Sequence, residues 1–221
     1  MDAVNWDWSN AASALPLLLH GLVVTLEATL LGSALAFVLG LILTLLRLSK
    51  VPVLSQVTWA FVEFVRDTPL LVQLYFVYFV FPVTLGIKMS SLATGVLTLG
   101  VHYAAYTSDT YRAGIQAVPR GQWEAATALS LPRHRVWLSV VLPQAIRRSL
   151  PSLGNYLISM FKDTPVLLTV GVLEMVGQAE QAGSATYSYV EPFTIAGFLF
   201  LVLSYPSSIL VRRLQRYVGT R

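Results

Sequence analysis

Residues 17–46 read LLLHGLVVTLEATLLGSALAFVLGLILTLL, an apolar run broken only by His20 and Glu27. The hydrocarbon core of a bilayer is about 30 Å thick and is crossed by about 20 mostly apolar residues. This run exceeds that length, so it is expected to tilt or to project beyond the lipid. Four weaker segments follow. They run from about Val57 to Val83, Leu92 to Tyr111, Leu150 to Val176 and Phe193 to Val211. The second carries Glu63, Arg66 and Asp67, the third His102 and Asp109, and the fourth Lys162 and Asp163.

The composition agrees with the run. Of 221 residues, 55% are hydrophobic and 12% charged, about half the charge of an ordinary soluble domain. That leaves too little polar surface for a water-soluble body and excludes a disordered chain, a collagen and a soluble nucleotide-binding enzyme. With no Cys there is no disulfide framework, thiolate metal site or cysteine nucleophile. His20, His102 and His134 have no metal-ligand spacing, so no metal is assigned. The opening MDAVNWDWSN has no basic residue and two Asp, so a cleavable signal is not expected there. Trp6 and Trp8 suit the lipid–water interface.

The basic residues set the orientation. With the N-terminus outside, twelve of the fifteen fall on the inner face: Arg47, Lys50, Arg112, Arg120, Arg133, Arg135, Arg147, Arg148, Arg212, Arg213, Arg216 and Arg221. Only Lys88 falls outside, while Asp2, Asp7, Glu174, Glu180 and Glu191 lean outward. Basic residues favour the cytoplasmic side, so the expectation is an all-α membrane protein with five transmembrane helices, N-out and C-in. The same placement, with Arg212-Arg213-Leu214-Gln215-Arg216 as an inner-leaflet anchor, argues for a lipid partner and against nucleic acid.

One inner loop, roughly residues 112–149, far exceeds the usual 2–8 residues between bundle helices. Gln122 to Leu131 is predicted to form a short helix stopped by Pro132, and Val136 to Leu142 another before Pro143. The first would present Trp123, Ala126, Thr127 and Leu131. Such a helix either enters a partner's groove or lies on the membrane or on its own bundle.

Glu124-Ala125-Ala126, then Ser130, Val140 and Leu142-Pro143 at fixed intervals, resemble the EAA loop of ABC-importer permeases. That family has Gly where Ser130 stands and Ile where Val140 stands. Ser is a costly replacement only if the turn needs positive φ. The likeness extends to Gly21-Leu22-Val23-Val24-Thr25-Leu26, to residues Glu63 to Gln73, and to Tyr106 to Ala126. It is that of the polar amino acid uptake permeases. Glu27-Ala28-Thr29, Gly100-Val101-His102-Tyr103 and Phe161-Lys162-Asp163-Thr164-Pro165 look most like ectoine/hydroxyectoine permease subunits.

The resemblance implies a type I ABC importer permease fold in one transmembrane domain, residues 1–221, with the EAA coupling loop at about 119–148. The loop would form a cytoplasmic coupling helix docked on a separate ATPase dimer. Glu124 would be its charged anchor, Ala125 and Ala126 its close-packing face and Ser130 its turn, with Leu142 and Pro143 as further coupling residues. The chain holds no Gly-x-x-x-x-Gly-Lys-Ser/Thr loop, so it is expected not to be an enzyme and to bind no cofactor itself. ATP and Mg would sit on the partner. An extracytoplasmic solute-binding protein, a second permease subunit, identical or homologous, and a bacterial inner-membrane location are implied in the same way.

Charges at bilayer depth cost about 2.5–3.5 kcal/mol each on insertion scales, so they pair or line a pathway. Arg66-Asp67-Thr68-Pro69-Leu70-Leu71 recurs as Lys162-Asp163-Thr164-Pro165-Val166-Leu167, which suggests parallel repeats of spans two–three and four–five. Thr as N-cap and Pro as first helical residue would restart a helix within each span. The new N-terminus would suit a substrate carboxylate. The alternative is a Pro kink with its ion pair reaching the inner interface. Glu27 either lines the pathway or bonds a neighbouring span. Asp109 and Arg112 are spaced to pair with each other. Tyr75, Phe76, Tyr78 and Phe79 suit either a cation–π contact or packing.

Taken together, the pathway candidates are Glu27, Asp67, Thr68, Gln73, Tyr75, Lys162, Asp163 and Thr164. The expected function is the permease subunit of a binding-protein-dependent ABC importer for a polar amino acid or a compatible solute such as ectoine. The alternative is an ion-coupled secondary transporter using Glu27, Asp109 and Asp163 as proton sites, which needs no EAA loop.

Overall fold

The computed structural model describes residues 6–219; Asp2 and Arg221 of the charge reading lie outside the described residues. Every regular element among them is helical. The elements are α1 (Trp8–Arg47), α2 (Pro52–Asp67), α3 (Leu70–Thr84), α4 (Ser91–Gln116), α5 (Arg120–Ala128), α6 (Arg133–Val170), α7 (Met175–Thr186) and α8 (Val190–Gly219). Two helices, Trp8–Arg47 and Val190–Tyr217, are long and apolar enough to cross a membrane unaided. The pairs α2 with α3 and α6 with α7 qualify only as broken spans or re-entrant segments. Helix α4 is 26 residues long, about 39 Å at 1.5 Å per residue, yet falls short in hydropathy.

The helix α1 shows why so apolar a sequence folds in one way. Its buried positions are Ala11, Ala14, Leu18, Gly21, Thr25, Ala28, Thr29, Gly32, Ser33, Ala36, Gly40, Thr44 and Arg47, a helical stripe built almost wholly from small residues. Lipid gives no hydrophobic drive for helices to associate, so close approach through small side chains supplies the contact. The opposite faces carry Val23, Leu30, Leu31, Val38 and Ile42, all exposed, as lipid-facing residues should be. Asp7 begins the helix by accepting a hydrogen bond from the Ser9 N–H at 2.7 Å.

The described chain groups into two compact units. The first comprises residues up to Ser33, Pro69–Leu99 and Leu157–Ser208. Its core joins Ala14 and Leu18 to Met175, Ala179, Ala182 and Ala196, with Phe200 packed against them. Glu174, buried at 0% exposure, caps α7 by accepting from the Gly177 N–H at 2.8 Å. The Thr25 hydroxyl lies 3.5 Å from the same carboxylate and accepts from the Met175 N–H at 3.1 Å.

The second unit comprises Ala34–Thr68, Gly100–Tyr156 and the residues from Ile209 onward. Within it Val62 and Val65 of α2 pack on Ala105 of α4. At Gly40 the helices α1 and α4 nearly touch: an added Cβ would lie 2.0 Å from the Thr107 hydroxyl oxygen and 3.1 Å from the Ala104 carbonyl. That hydroxyl donates to the Ala36 carbonyl at 2.9 Å, so it cannot simply turn away. Gly40→Leu is therefore expected to part α1 from α4 and cost more than the about 1–3 kcal/mol of ordinary overpacking. Size-exclusion chromatography in detergent reads the outcome as loss of the monodisperse species.

Several sequence expectations need correction here. Pro143 does not stop a helix, because Val136–Val141 is a π-helical stretch that leads straight into Leu142–Asp163. Proline clashes with the carbonyl four residues earlier, here Ser139 within the wider π turn. The same device precedes Pro82, where Phe76–Val80 is π-helical. The repeated Asp-Thr-Pro also behaves differently at its two sites. At the first the helix ends: Thr68 (φ −102°, ψ 140°) and Pro69 (φ −63°, ψ 138°) are extended. At the second the chain tightens into a 3-10 helix, Thr164–Val170, and breaks only at Gly171 (φ 82°).

Candidate transport and coupling sites

Neither threonine of the repeat serves as an N-cap. The Thr68 hydroxyl donates back to the Phe64 carbonyl at 2.9 Å, and Thr164 back to Phe161 at 2.9 Å. The Phe161 carbonyl is the one that Pro165, lacking an N–H, cannot reach; the corresponding carbonyl before Pro69 is that of Val65, which the Thr68 hydroxyl meets at 3.3 Å. The N-cap of α3 is Pro69 itself.

The pathway candidates are distributed over both units. In the first unit Glu27 is exposed on α1, Gln73 half-buried and Tyr75 exposed on α3, and Lys162 exposed beside half-buried Asp163 and buried Thr164. Lys162 lines a cavity of about 440 Å³ with Pro165, Val176, Phe200 and Ser204. Ser159, one turn before Lys162, is also exposed. Its spacing from Lys162 was legible and marks the same polar side of α6. Tyr75 and Phe79 meet edge-on at 5.6 Å, as aromatic packing does. Asp67 and Thr68 belong to the second unit, with Asp67 exposed and Thr68 half-buried.

The charged centre of the second unit is wider than the expected Asp109–Arg112 pair, which is present but long at 3.9 Å. Asp109 Oδ1 lies 2.7 Å from Arg47 Nη1, and its Oδ2 2.7 Å from Arg66 Nη1. Arg112 comes no closer than 3.9 Å. Helical spacing of three residues permits the local pair, but two arginines from other helices reach Asp109 with better geometry and take its oxygens. Arg66 also meets Glu63 at 3.3 Å and stands over the Tyr106 ring, 5.6 Å from its centre. Tyr106 in turn packs with His102, Tyr103 and Tyr156. Sequence reasoning missed this aromatic group, because His102, Tyr103 and Tyr106 lie on one helical face only when counted at 3–4 residue spacing and Tyr156 comes from another element. Among the described residues no group of three His, Asp or Glu could hold a metal ion.

The inner loop is built as a rigid bracket. Helix α5 starts after Pro119 (φ −56°, ψ 138°), two residues before the expected Gln122, and ends at Ala128 rather than Leu131. Its C-terminus is a Schellman turn: the Leu131 N–H bonds the Ala126 carbonyl at 3.1 Å, and the Ser130 N–H the Thr127 carbonyl at 2.9 Å. Such a turn needs a left-handed residue, and Ser130 supplies it at φ 52°. Ser130→Gly should relieve about 1 kcal/mol of strain. A raised thermal midpoint without change in helix content would show it.

One side of α5 faces its own chain. Ala126 is buried, and Trp123 packs on Ile115, Val118, Val141 and Ala145, with its ring 5.4 Å from that of Trp137. Ala126 is thus committed inside the unit rather than available as an outer packing face. Glu124, Ala125, Ala128 and also Thr127 are among its exposed residues, and Leu129 after it is 72% exposed. Ser130 and Pro143 are exposed and Leu142 half-buried. Arg148 ties α6 back to the Ala117 carbonyl, and Ser149 to that of Thr110 at 3.3 Å.

Known proteins share this fold. Residues 28–220 match the family described as the binding-protein-dependent transport system inner membrane component. A probable amino-acid ABC transporter permease protein of Sinorhizobium fredii is 45% identical over 94% of this chain and 91% of its own. The arginine transport system permease protein of Bacillus subtilis is 35% identical over 90% and 91%. Among solved structures, an amino acid ABC transporter crystallised with histidines superposes with TM-score 0.89 at 33% identity, covering 97% of this chain and 100% of that one. The chain belongs to the binding-protein-dependent ABC transporter permeases, within their amino-acid branch, and is a helical membrane subunit of the type I importer fold.

Proposed function

We propose that this chain forms the translocation pathway of an importer for a polar amino acid or an amino-acid-like compatible solute such as ectoine. In this reading it has five spans, N-terminus outside and C-terminus inside, in a bacterial cytoplasmic membrane. It works as one of a pair of identical or homologous permeases, with a cytoplasmic ATPase dimer and an extracytoplasmic solute-binding protein. The observation that carries the reading is α5: an outward Glu124–Ala125 face on a helix whose other side is fixed by Trp123, Trp137 and Ala126. A helix so anchored moves with α6, so closure of an attached ATPase pair is passed into the spans. Flexible attachment would lose that motion.

The substrate side is proposed at Lys162 and Asp163, with Glu27, Asp67, Gln73 and Tyr75 as further pathway residues. A zwitterionic solute needs one group of each sign; Lys162 lines a cavity, and Asp163 follows it in the chain. Relatives named for arginine and L-cystine transport are 35% and 34% identical, which favours that substrate class. An ion-coupled secondary transporter requires neither the Glu124–Ala125 face nor a partner ATPase and is not favoured. The test is uptake into proteoliposomes holding the complete transporter and its binding protein, with ATP on the ATPase side. Saturable uptake of a basic or neutral polar amino acid or of ectoine is expected, and uptake driven by a proton gradient without ATP would overturn the reading.

A further inference from the structure

We propose that the second unit carries a site for the phosphate of an anionic phospholipid in the inner leaflet. The ends of α1, α2 and α4 enclose an open cleft of about 230 Å³ whose polar walls are Arg47, Arg112, Ser55, Gln56 and Gln116, with Trp59 beside them. Water occupies about 30 Å³ per molecule, so the cleft has room for a phosphate ester rather than for a lone water.

Its charge favours an anion. Its charged lining residues are Arg47 and Arg112, with no acid among them, and the two short bridges of nearby Asp109 go to Arg47 and Arg66. Arg112, 3.9 Å from Asp109 and 43% exposed in its side chain, keeps most of its five N–H donors for another partner. A guanidinium presents a planar fork suited to phosphate oxygens. Ser55 is already engaged, its hydroxyl donating to the Arg47 carbonyl at 2.8 Å, and this contact fixes the wall. Gln56 and Gln116 are exposed and can donate amide hydrogens.

The neighbouring surface separates a lipid from a soluble phosphate. Leu48 and Trp59, which line the cleft, are 38% and 54% exposed and give it an apolar lip. A headgroup in the cleft leaves its acyl chains against Leu48 and Trp59, and an exposed tryptophan there suits the lipid–water interface. Basic pockets between helices on the cytoplasmic side are suited to anionic headgroups. The inference rests on the orientation proposed above, which puts Arg47 and Arg112 at the inner face.

Native mass spectrometry of the detergent-purified transporter, loaded from vesicles of equal phosphatidylglycerol and phosphatidylcholine, tests it without ATP or substrate. The wild type is expected to retain phosphatidylglycerol selectively. Arg112→Gln should retain about fivefold less, Arg112→Lys should keep most of it, and excess inorganic phosphate should not displace it. Equal retention by Arg112→Gln, or equal retention of phosphatidylcholine, would overturn the site. Displacement by inorganic phosphate would make it a soluble-anion site and overturn the lipid. Labelling of Gln116→Cys from each side of sealed vesicles reads the orientation separately, so a failed topology is distinguishable from a failed site.

Discussion

Replacing Asp109 by Ala is expected to lower stability by about 3 kcal/mol. Arg47, whose side chain is only 4% exposed, and Arg66 would both lose their 2.7 Å partner in one step. The penalty comes from the guanidiniums left behind rather than from the lost attraction, because a buried charge without a counter-ion is far worse than a well-packed apolar pair. Asp109 is 28% exposed, which holds the figure to the lower end of the range for buried pairs. Arg47→Met combined with Asp109→Leu should therefore recover part of the loss, although Arg66 keeps only Glu63. Thermal unfolding of the purified protein in detergent measures both. A single mutant as stable as wild type would remove the three-helix charge cluster from the account.

Reversing the charge at Glu124 should abolish uptake while leaving insertion and folding intact. Glu124 is exposed on α5 and makes no contact that holds the helix, so Glu124→Lys should change stability by no more than about 0.5 kcal/mol. Its effect belongs to docking, where a like-charge juxtaposition costs several kcal/mol and roughly 100-fold or more in affinity. The measurement is ATP-dependent uptake beside the amount of protein in the membrane. Normal uptake by Glu124→Lys would sink the coupling role of α5.

Particular residues show how much of this was legible. The small-residue stripe of α1, the helical inner loop and the departure at Ser130 could all be read locally. The left-handed turn at Ser130 follows from the need to close α5, and Pro132 announced that closure. The two Asp-Thr-Pro sites were readable as a pattern, but not as one break and one tightening. That difference is set by Gly171, seven residues beyond Thr164, which offers the chain a cheaper place to turn. Helix continuity through Pro82 and Pro143 was hidden because a π turn is a backbone response with no residue signature of its own. Asp109 was assigned its nearest neighbour in sequence, since helical spacing is all that a sequence offers; the arginines that reach it come from 62 and 43 positions away. Burial of Ala126 and Trp123 likewise depends on Val141 and Ala145, which no local periodicity joins to them. Glu174 shows the same limit: acids near a span end usually face water, whereas this one caps α7 inside the protein.

An ATP-driven importer with this chain as its membrane half should be recoverable whole from native membranes, and the composition of that complex is the most direct test. The tagged chain, extracted gently and identified with its companions by mass spectrometry, is expected to bring down a cytoplasmic protein carrying a phosphate-binding loop. A second permease copy or homologue should accompany it. A chain that emerges alone and still carries solute down an ion gradient would contradict the account.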